Sequence, residues 1–129
     1  MSKKLRVVMA RLGMDAHWRG SVVVSRAIRD AGHEVIYLGN QTPEEIVEIA
    51  LCEDVDIIGL STLSGNHMIL APEVTGLLKE KGVDDIQVII GGTISPDDAL
   101  KLKDCGIAEV FGPGSSLKSI VDFISLSDR

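Results

Sequence analysis

The sequence predicts a doubly wound α/β fold, a parallel sheet covered by helices on both faces. Three observations carry this. Five short apolar runs alternate with five segments of helical periodicity along the 129 residues, and strict strand–helix alternation requires right-handed crossovers that place helices on both sides. The third and fourth runs read Val-Asp-Ile-Ile-Gly-Leu and Ile-Gln-Val-Ile-Ile. They are nearly continuous rather than alternating, as in central strands covered on two faces. Gly32, Gly82 and Gly106 each fall where a helix should stop and the chain turn back. Five such strands lead to the flavodoxin-like (Rossmann-like) order 2-1-3-4-5, a three-layer αβα arrangement, with residues 1–129 read as one domain.

The elements follow in order. The first strand is expected over Leu5–Ala10, and a loop from Gly13 to Gly20 leads into the first helix. After Gly32 comes the second strand, Glu34–Leu38. Thr42-Pro43-Glu44-Glu45 then offers an N-cap threonine, a proline at the first helical position and a glutamate placed to close a capping box. The third strand, Val55–Leu60, precedes a helix with an apolar stripe at Leu70, Val74, Leu77 and Leu78. Ile86–Ile90 is the fourth strand, and Ser95-Pro96-Asp97-Asp98 repeats the capping logic with aspartates. Ala108–Phe111 is the fifth strand, and Leu117, Ile120, Val121 and Ile124 stripe the last helix. Ser125 to Arg129 are expected to fray.

Composition narrows the function. Hydrophobic residues make up 45% and charged residues 25%, as in a globular protein with one buried core. A formal net charge of −6 argues against nucleic acid and anionic membranes as partners, since both call for a basic patch. No run approaches the ~20 apolar residues of a membrane span, and the N-terminus lacks the features of a secretory signal. Cys52 and Cys105 lie far apart with no second thiol near either, so a zinc site is disfavoured. Two buried thiols in a reducing cytoplasm is the expectation. The chain has four aromatic residues, so its core must be aliphatic.

In a sheet of order 2-1-3-4-5 the ligand crevice lies at the carboxyl ends of the first and third strands. The loops sharing that rim hold Gly13 to Gly20, then Ser61-Thr62-Leu63-Ser64-Gly65, Gly91-Gly92-Thr93 and Gly112-Pro113-Gly114-Ser115. Small residues there let the backbone approach a bulky ligand and leave a slot that larger ones would fill. In Asp15-Ala16-His17-Trp18-Arg19-Gly20, a histidine follows a carboxylate by two positions and precedes a glycine by three. This is the look of a metal ligand and the partner that orients it. Taken singly each feature has a plainer reading: a solvated loop histidine, a capping aspartate, the end of a strand, a glycine turn. A receiver domain is disfavoured because the third strand ends in Ser61 rather than an acceptor aspartate and Pro113 stands where a lysine belongs. A flavodoxin is disfavoured because the first loop carries Met14-Asp15-Ala16-His17 in place of a phosphate loop.

Taken together, Asp15-x-His17-x-x-Gly20, Ser61-x-Leu63 and Gly91-Gly92 resemble the three-part signature of cobalamin-binding domains. With Arg11-Leu12-Gly13, Thr42-Pro43-Glu44-Glu45 and Phe111-Gly112-Pro113-Gly114, the chain from about Leu5 to Ile124 looks like the cobalamin domain of methylmalonyl-CoA mutase and related acyl-CoA mutases. The resemblance implies that His17 is the lower axial ligand to cobalt, in place of the nucleotide base. Asp15 would bond its other ring nitrogen, Ala16 and Arg19 would belong to the cofactor-binding loop, and Trp18 would pack against the corrin ring or against a partner protein. Gly20 would open the first helix and leave room for the nucleotide tail. Ser61, Leu63 and Ser64 would line the tail slot. Gly91, Gly92 and Thr93 would let the tail run against the fourth strand, and Phe111, Gly112 and Gly114 would close the far side. Ala16 and Trp18 depart from the glycine and acidic residue common in the family at these positions, which leaves the subfamily and its substrate open. His33 is expected to be exposed. His67, at the start of the third helix, is open between a rim contact and a plain surface role.

The function implied is that of the small subunit of an adenosylcobalamin-dependent acyl-CoA mutase, an isomerase acting by 1,2 carbon-skeleton rearrangement. No catalytic residue is assigned to this chain, and a large acyl-CoA-binding partner subunit is implied. Two other readings stay open: a corrinoid methyl carrier of a methyltransferase system, and a stand-alone cobalamin sensor or chaperone. The carrier usually has a helical cap before its cobalamin domain. Here the first strand is expected by about residue 5, which leaves no segment for such a cap.

Overall fold

The computed structural model describes residues 5–12, 18–62, 67–92, 94–111 and 117–125. Five strands, β1 (Arg6–Leu12), β2 (Glu34–Gln41), β3 (Ile57–Thr62), β4 (Gln87–Gly92) and β5 (Glu109–Phe111), alternate with five helices. These are α1 (Trp18–Asp30), α2 (Pro43–Cys52), α3 (His67–Glu80), α4 (Pro96–Asp104) and α5 (Leu117–Ser125). The strands form one parallel sheet in the order β2-β1-β3-β4-β5, the order expected from the sequence. Strand β2 runs three residues beyond its expected end. A register shift after Met9 lets β1 keep pairing as far as Gln41.

Strand alternation divides the core between the two faces. Val8, Ala10, Ile58, Leu60, Val88 and Ile90 pack with Ile46, Val47 and Ala50 of α2, with Ala71, Val74 and Leu78 of α3, and with Leu102 of α4. Val7, Met9, Ile57 and Ile89 point the other way, against Ile28 of α1 and Ile124 of α5. The largest fully buried side chains are all leucine, isoleucine or valine, as the scarcity of aromatics requires.

The helix boundaries follow their local chemistry. The Thr42 hydroxyl accepts from the Glu45 backbone N–H at 3.2 Å, while a Glu45 carboxylate oxygen accepts from the Thr42 backbone N–H at 3.0 Å, completing the capping box. The Thr42 backbone N–H, and after it the hydroxyl, hold the Glu45 carboxyl below its ordinary range. That contribution is therefore present at neutral pH and is lost as pH falls through the lowered value. Thr42→Ala should lower the unfolding free energy by about 1 kcal/mol in a urea titration, with the slope unchanged. At Ser95 the hydroxyl caps α4 by accepting from the Asp98 N–H at 3.2 Å. Gly32, Gly82 and Gly106 have φ of 101°, 73° and 105°, the left-handed turns expected of them. Helix α2 has no glycine to end on, and Asp54 takes the left-handed position at φ 52°.

Three local expectations are corrected. His33 is buried, 5% exposed. Its Nδ1 accepts from the Leu5 backbone N–H at 3.1 Å, so Nε2 carries the proton and donates to Ser125 Oγ at 3.1 Å. The ring thus ties the starts of β1 and β2 to the end of α5. Cys52 and Cys105 are both exposed rather than buried. Each sits at a helix carboxyl end, Cys52 as the last residue of α2 and Cys105 as the C-cap of α4, where the chain leaves the core. Gly20 lies within the first turn of α1, which already opens at Trp18.

Candidate functional site

Parallel pairing brings the carboxyl ends of the strands to one rim. Arg11 pairs with Ser61, Ser61 with Gly91, and Gly91 with Phe111, so these four residues form one row across β1, β3, β4 and β5. Because side chains alternate along a strand, Ser61 and Gly91 share the face of Ile57 and Ile89, the face covered by α1 and α5. On the opposite face, one residue lower, Ala10, Leu60 and Ile90 are 0–2% exposed and packed against α2 and α3. The two faces therefore differ at the rim. One is filled by aliphatic side chains; the other presents, between Arg11 and Phe111, a hydroxymethyl group and a bare Cα.

Gly91 tests what that space is for. Among the described residues, a Cβ at this position would meet only the Phe111 carbonyl oxygen at 3.5 Å and the Phe111 Cβ at 3.8 Å, ordinary contact distances. No positive φ demands glycine there either. The packing of the described residues would accept a Cβ there, so the missing one leaves a cradle among them on the α1/α5 face. Gly92 is different: its φ of 145° is a backbone state that other residues adopt only with strain. Phe111 forms the far wall, with its ring edge-on to Phe123 of α5 at a centroid distance of 5.9 Å and 78° between planes. Behind it, Lys103 Nζ donates to Glu109 Oε1 at 2.8 Å, holding the Glu109 carboxyl below its ordinary range and tying the short edge strand to α4.

Of the residues singled out from the sequence, the structure brings Ser61, Gly91 and Phe111 into one row and sets Gly92 directly after it. Trp18, Arg19 and Gly20 make the first turn of α1, the helix that covers this face. Asp15, Ala16, His17, Leu63, Ser64, Thr93, Gly112 and Gly114 lie outside the described residues. His67 is the first residue of α3.

Two residues that the sequence reading passed over shape the same face. Met9 pairs with Gly59, and a Cβ on Gly59 would collide with the Met9 thioether. The signal was a glycine inside an otherwise apolar strand, which marks a close approach by a neighbouring group. A second hollow, an open cleft of about 460 Å³, lies at the amino-terminal edge of the sheet between the end of α3 and the turn from α4 to β5. Its floor is Leu78, Val83, Ile86 and Val88, and it stands at the opposite end of the strands from the glycine-lined row. Among the described residues no group of three or more histidine, cysteine, aspartate or glutamate side chains could hold a metal ion of its own. No helix among them is long and apolar enough to cross a membrane.

Comparison with known proteins supplies what the fold alone does not. A cobalamin-binding protein from Desulfitobacterium hafniense superposes with a TM-score of 0.85 at 22% identity, over 98% of this chain and 60% of that one. A response-regulator receiver domain from Francisella also fits, with a TM-score of 0.76 at 11% identity over 96% of each chain. Both likenesses are of fold only. The sequence relatives are nearer. The 2-hydroxyisobutanoyl-CoA mutase small subunit of Aquincola tertiaricarbonis is 44% identical over 121 residues, covering 93% of this chain and 89% of that protein. The pivalyl-CoA mutase small subunit of Xanthobacter autotrophicus is 38% identical, over 96% of this chain and 84% of that one. Methylmalonyl-CoA mutase of Rhizobium meliloti is also 38% identical over 96% of this chain, which spans only 18% of that protein. Residues 5–121 match the B12 binding domain, a span that takes in every strand and the row from Arg11 to Phe111. The chain belongs to the B12-binding domain family.

Proposed function

We propose that this chain is the cobalamin-carrying small subunit of an adenosylcobalamin-dependent acyl-CoA mutase, and that it works with a separate large subunit that holds the acyl-CoA. The observation that carries the reading is its 44% identity along 89% of a mutase small subunit. The cradle at Gly91 supports it from the structural side, because it is room that the described residues do not fill. In this reading residues 1–129 form a single domain. His17 would hold the cobalt, and Asp15 would fix the ring through its other nitrogen. Ser61, Leu63, Ser64, Gly91, Gly92 and Thr93 would receive the nucleotide tail, and Phe111, Gly112 and Gly114 would close the far side. Ala16, Trp18, Arg19 and Gly20 would border the corrin where α1 begins. When bound, the cofactor supplies the radical chemistry of a 1,2 carbon-skeleton rearrangement, and the chain's own part is to bind, orient and shield it. The choice of acyl group falls to the large subunit. That subunit would correspond to the rest of the methylmalonyl-CoA mutase relative, of which this chain spans 18%.

A spectral titration tests the proposal. Purified protein with adenosylcobalamin should give the spectrum of a corrinoid whose own base is released and replaced by imidazole. His17→Ala should lose that spectrum. Ligation needs the neutral ring, so wild-type affinity should weaken as the buffer is acidified. An unchanged spectrum in the alanine variant overturns the assignment of His17.

A further inference from the structure

We propose that Met9 and Gly59 form an interlocked pair that sets the floor of the tail cradle and selects for an apolar, benzimidazole-type base on the corrinoid tail. The inference rests on the cobalamin-binding reading above and deepens it. Met9 of β1 and Gly59 of β3 are register partners on the face covered by α1 and α5. A Cβ on Gly59 would run into the Met9 sulfur and stand 3.3 Å from its Cε, so the Met9 thioether lies across the β3 backbone where a side chain of residue 59 would otherwise be. Gly59 is two residues before Ser61 on the same face of the same strand, and Ile89 stands beside it on β4. Below this level the face is filled by Val7, Ile57 and Ile28, each at most 1% exposed. Above it on β3 and β4 come Ser61 and the bare Gly91, in the row that Arg11 of β1 and Phe111 of β5 flank. Over β3 and β4, Met9 and Ile89 are therefore the large side chains directly beneath Ser61 and Gly91, and the height of the thioether above the sheet fixes how deep a ring inserted there can go.

The chemistry of that floor decides which ring. A thioether and the neighbouring Ile89 offer dispersion contact and no strong hydrogen-bond partner. A methylated benzimidazole edge loses nothing by burial against them. An adenine edge turned to this floor would find no partner there for its amino group and ring nitrogens, which penalises it. Methionine is also unbranched and adjustable, so the floor can settle against the ring without strain in the strands.

The test uses the whole chain as wild type, Met9→Ala, Gly59→Ala and the double variant, titrated separately with adenosylcobalamin, its adenine-based analogue and tail-less adenosylcobinamide. The readout is the imidazole-ligated spectrum. Wild type should prefer adenosylcobalamin to the adenine analogue by at least tenfold. Met9→Ala should shrink that preference at least fivefold, with adenosylcobinamide affinity changed less than twofold. Gly59→Ala should push the thioether towards the cradle and weaken adenosylcobalamin at least tenfold. The double variant should recover most of that loss, and it serves if Gly59→Ala alone does not fold. Equal shifts for all three corrinoids in Met9→Ala, or no recovery in the double variant, overturn the paired floor. A wild type that binds adenosylcobalamin no better than adenosylcobinamide overturns instead the placement of the tail in this cradle.

Discussion

Gly91→Val should fold almost as well as the wild type and bind adenosylcobalamin about a hundredfold more weakly, a loss near 2.7 kcal/mol. The two halves of this expectation have separate causes. Among the described residues, the first atom of a side chain at 91 meets only Phe111, at 3.5 Å and 3.8 Å, so they leave space for it. Valine also suits a strand better than glycine, because it restricts the unfolded chain and packs on a pleated surface. Stability by urea titration should therefore stay within about 1 kcal/mol. The bound state has no such tolerance. A branched side chain between Ser61 and Phe111 fills the level at which the tail would enter, and overpacking of a formed site is not relieved by small shifts. Gly91→Ala should fall between, at about tenfold. Full affinity in the valine variant would show that nothing occupies the cradle, and the placement of the tail on this face would fail with it.

Much of this was legible before any coordinates. The strand order follows from five alternating units, and the helix starts at Thr42 and Ser95 follow from caps whose partners are three residues away. Such features are local, so a sequence displays them. What was not legible depended on long-range contacts. His33 reads as a residue just past a helix-stopping glycine, but its burial is decided by Leu5 and Ser125, 28 and 92 positions away. Cys52 and Cys105 look like small core residues until the helices are placed and both prove to lie at helix ends facing water. At the candidate site, Ser61 and Gly91 were readable as rim residues from their positions after strands. That they lie side by side on the α1/α5 face, above Met9 and Gly59, follows only from the pairing register. A one-residue slip would have turned them to the other side.

That division of faces yields the second large effect. Leu60→Ala should destabilise the protein by about 3–4 kcal/mol, the usual cost of removing a leucine side chain from a packed core and leaving a cavity. Leu60 is 2% exposed and belongs to the cluster packed against α2, α3 and α4. Against a typical total of roughly 5–15 kcal/mol, this is a loss that a denaturant midpoint reports clearly. Yet Leu60 is the chain neighbour of Ser61 and points the opposite way, so the cradle should be intact whenever the chain is folded. Measured where Leu60→Ala remains native, its affinity for adenosylcobalamin should lie within about threefold of wild type, since a core defect on the far face alters folding rather than the site. Linkage then separates the two variants in one experiment. Ligand at a hundred times its dissociation constant adds about 2.7 kcal/mol to the folded state. Cofactor should thus restore most of the stability lost in Leu60→Ala, while the same concentration should add under 0.5 kcal/mol to Gly91→Val, whose affinity is a hundredfold weaker. If Leu60→Ala loses affinity as steeply as Gly91→Val, the rim is one cooperative layer, and function and stability do not sit on separate faces of the sheet.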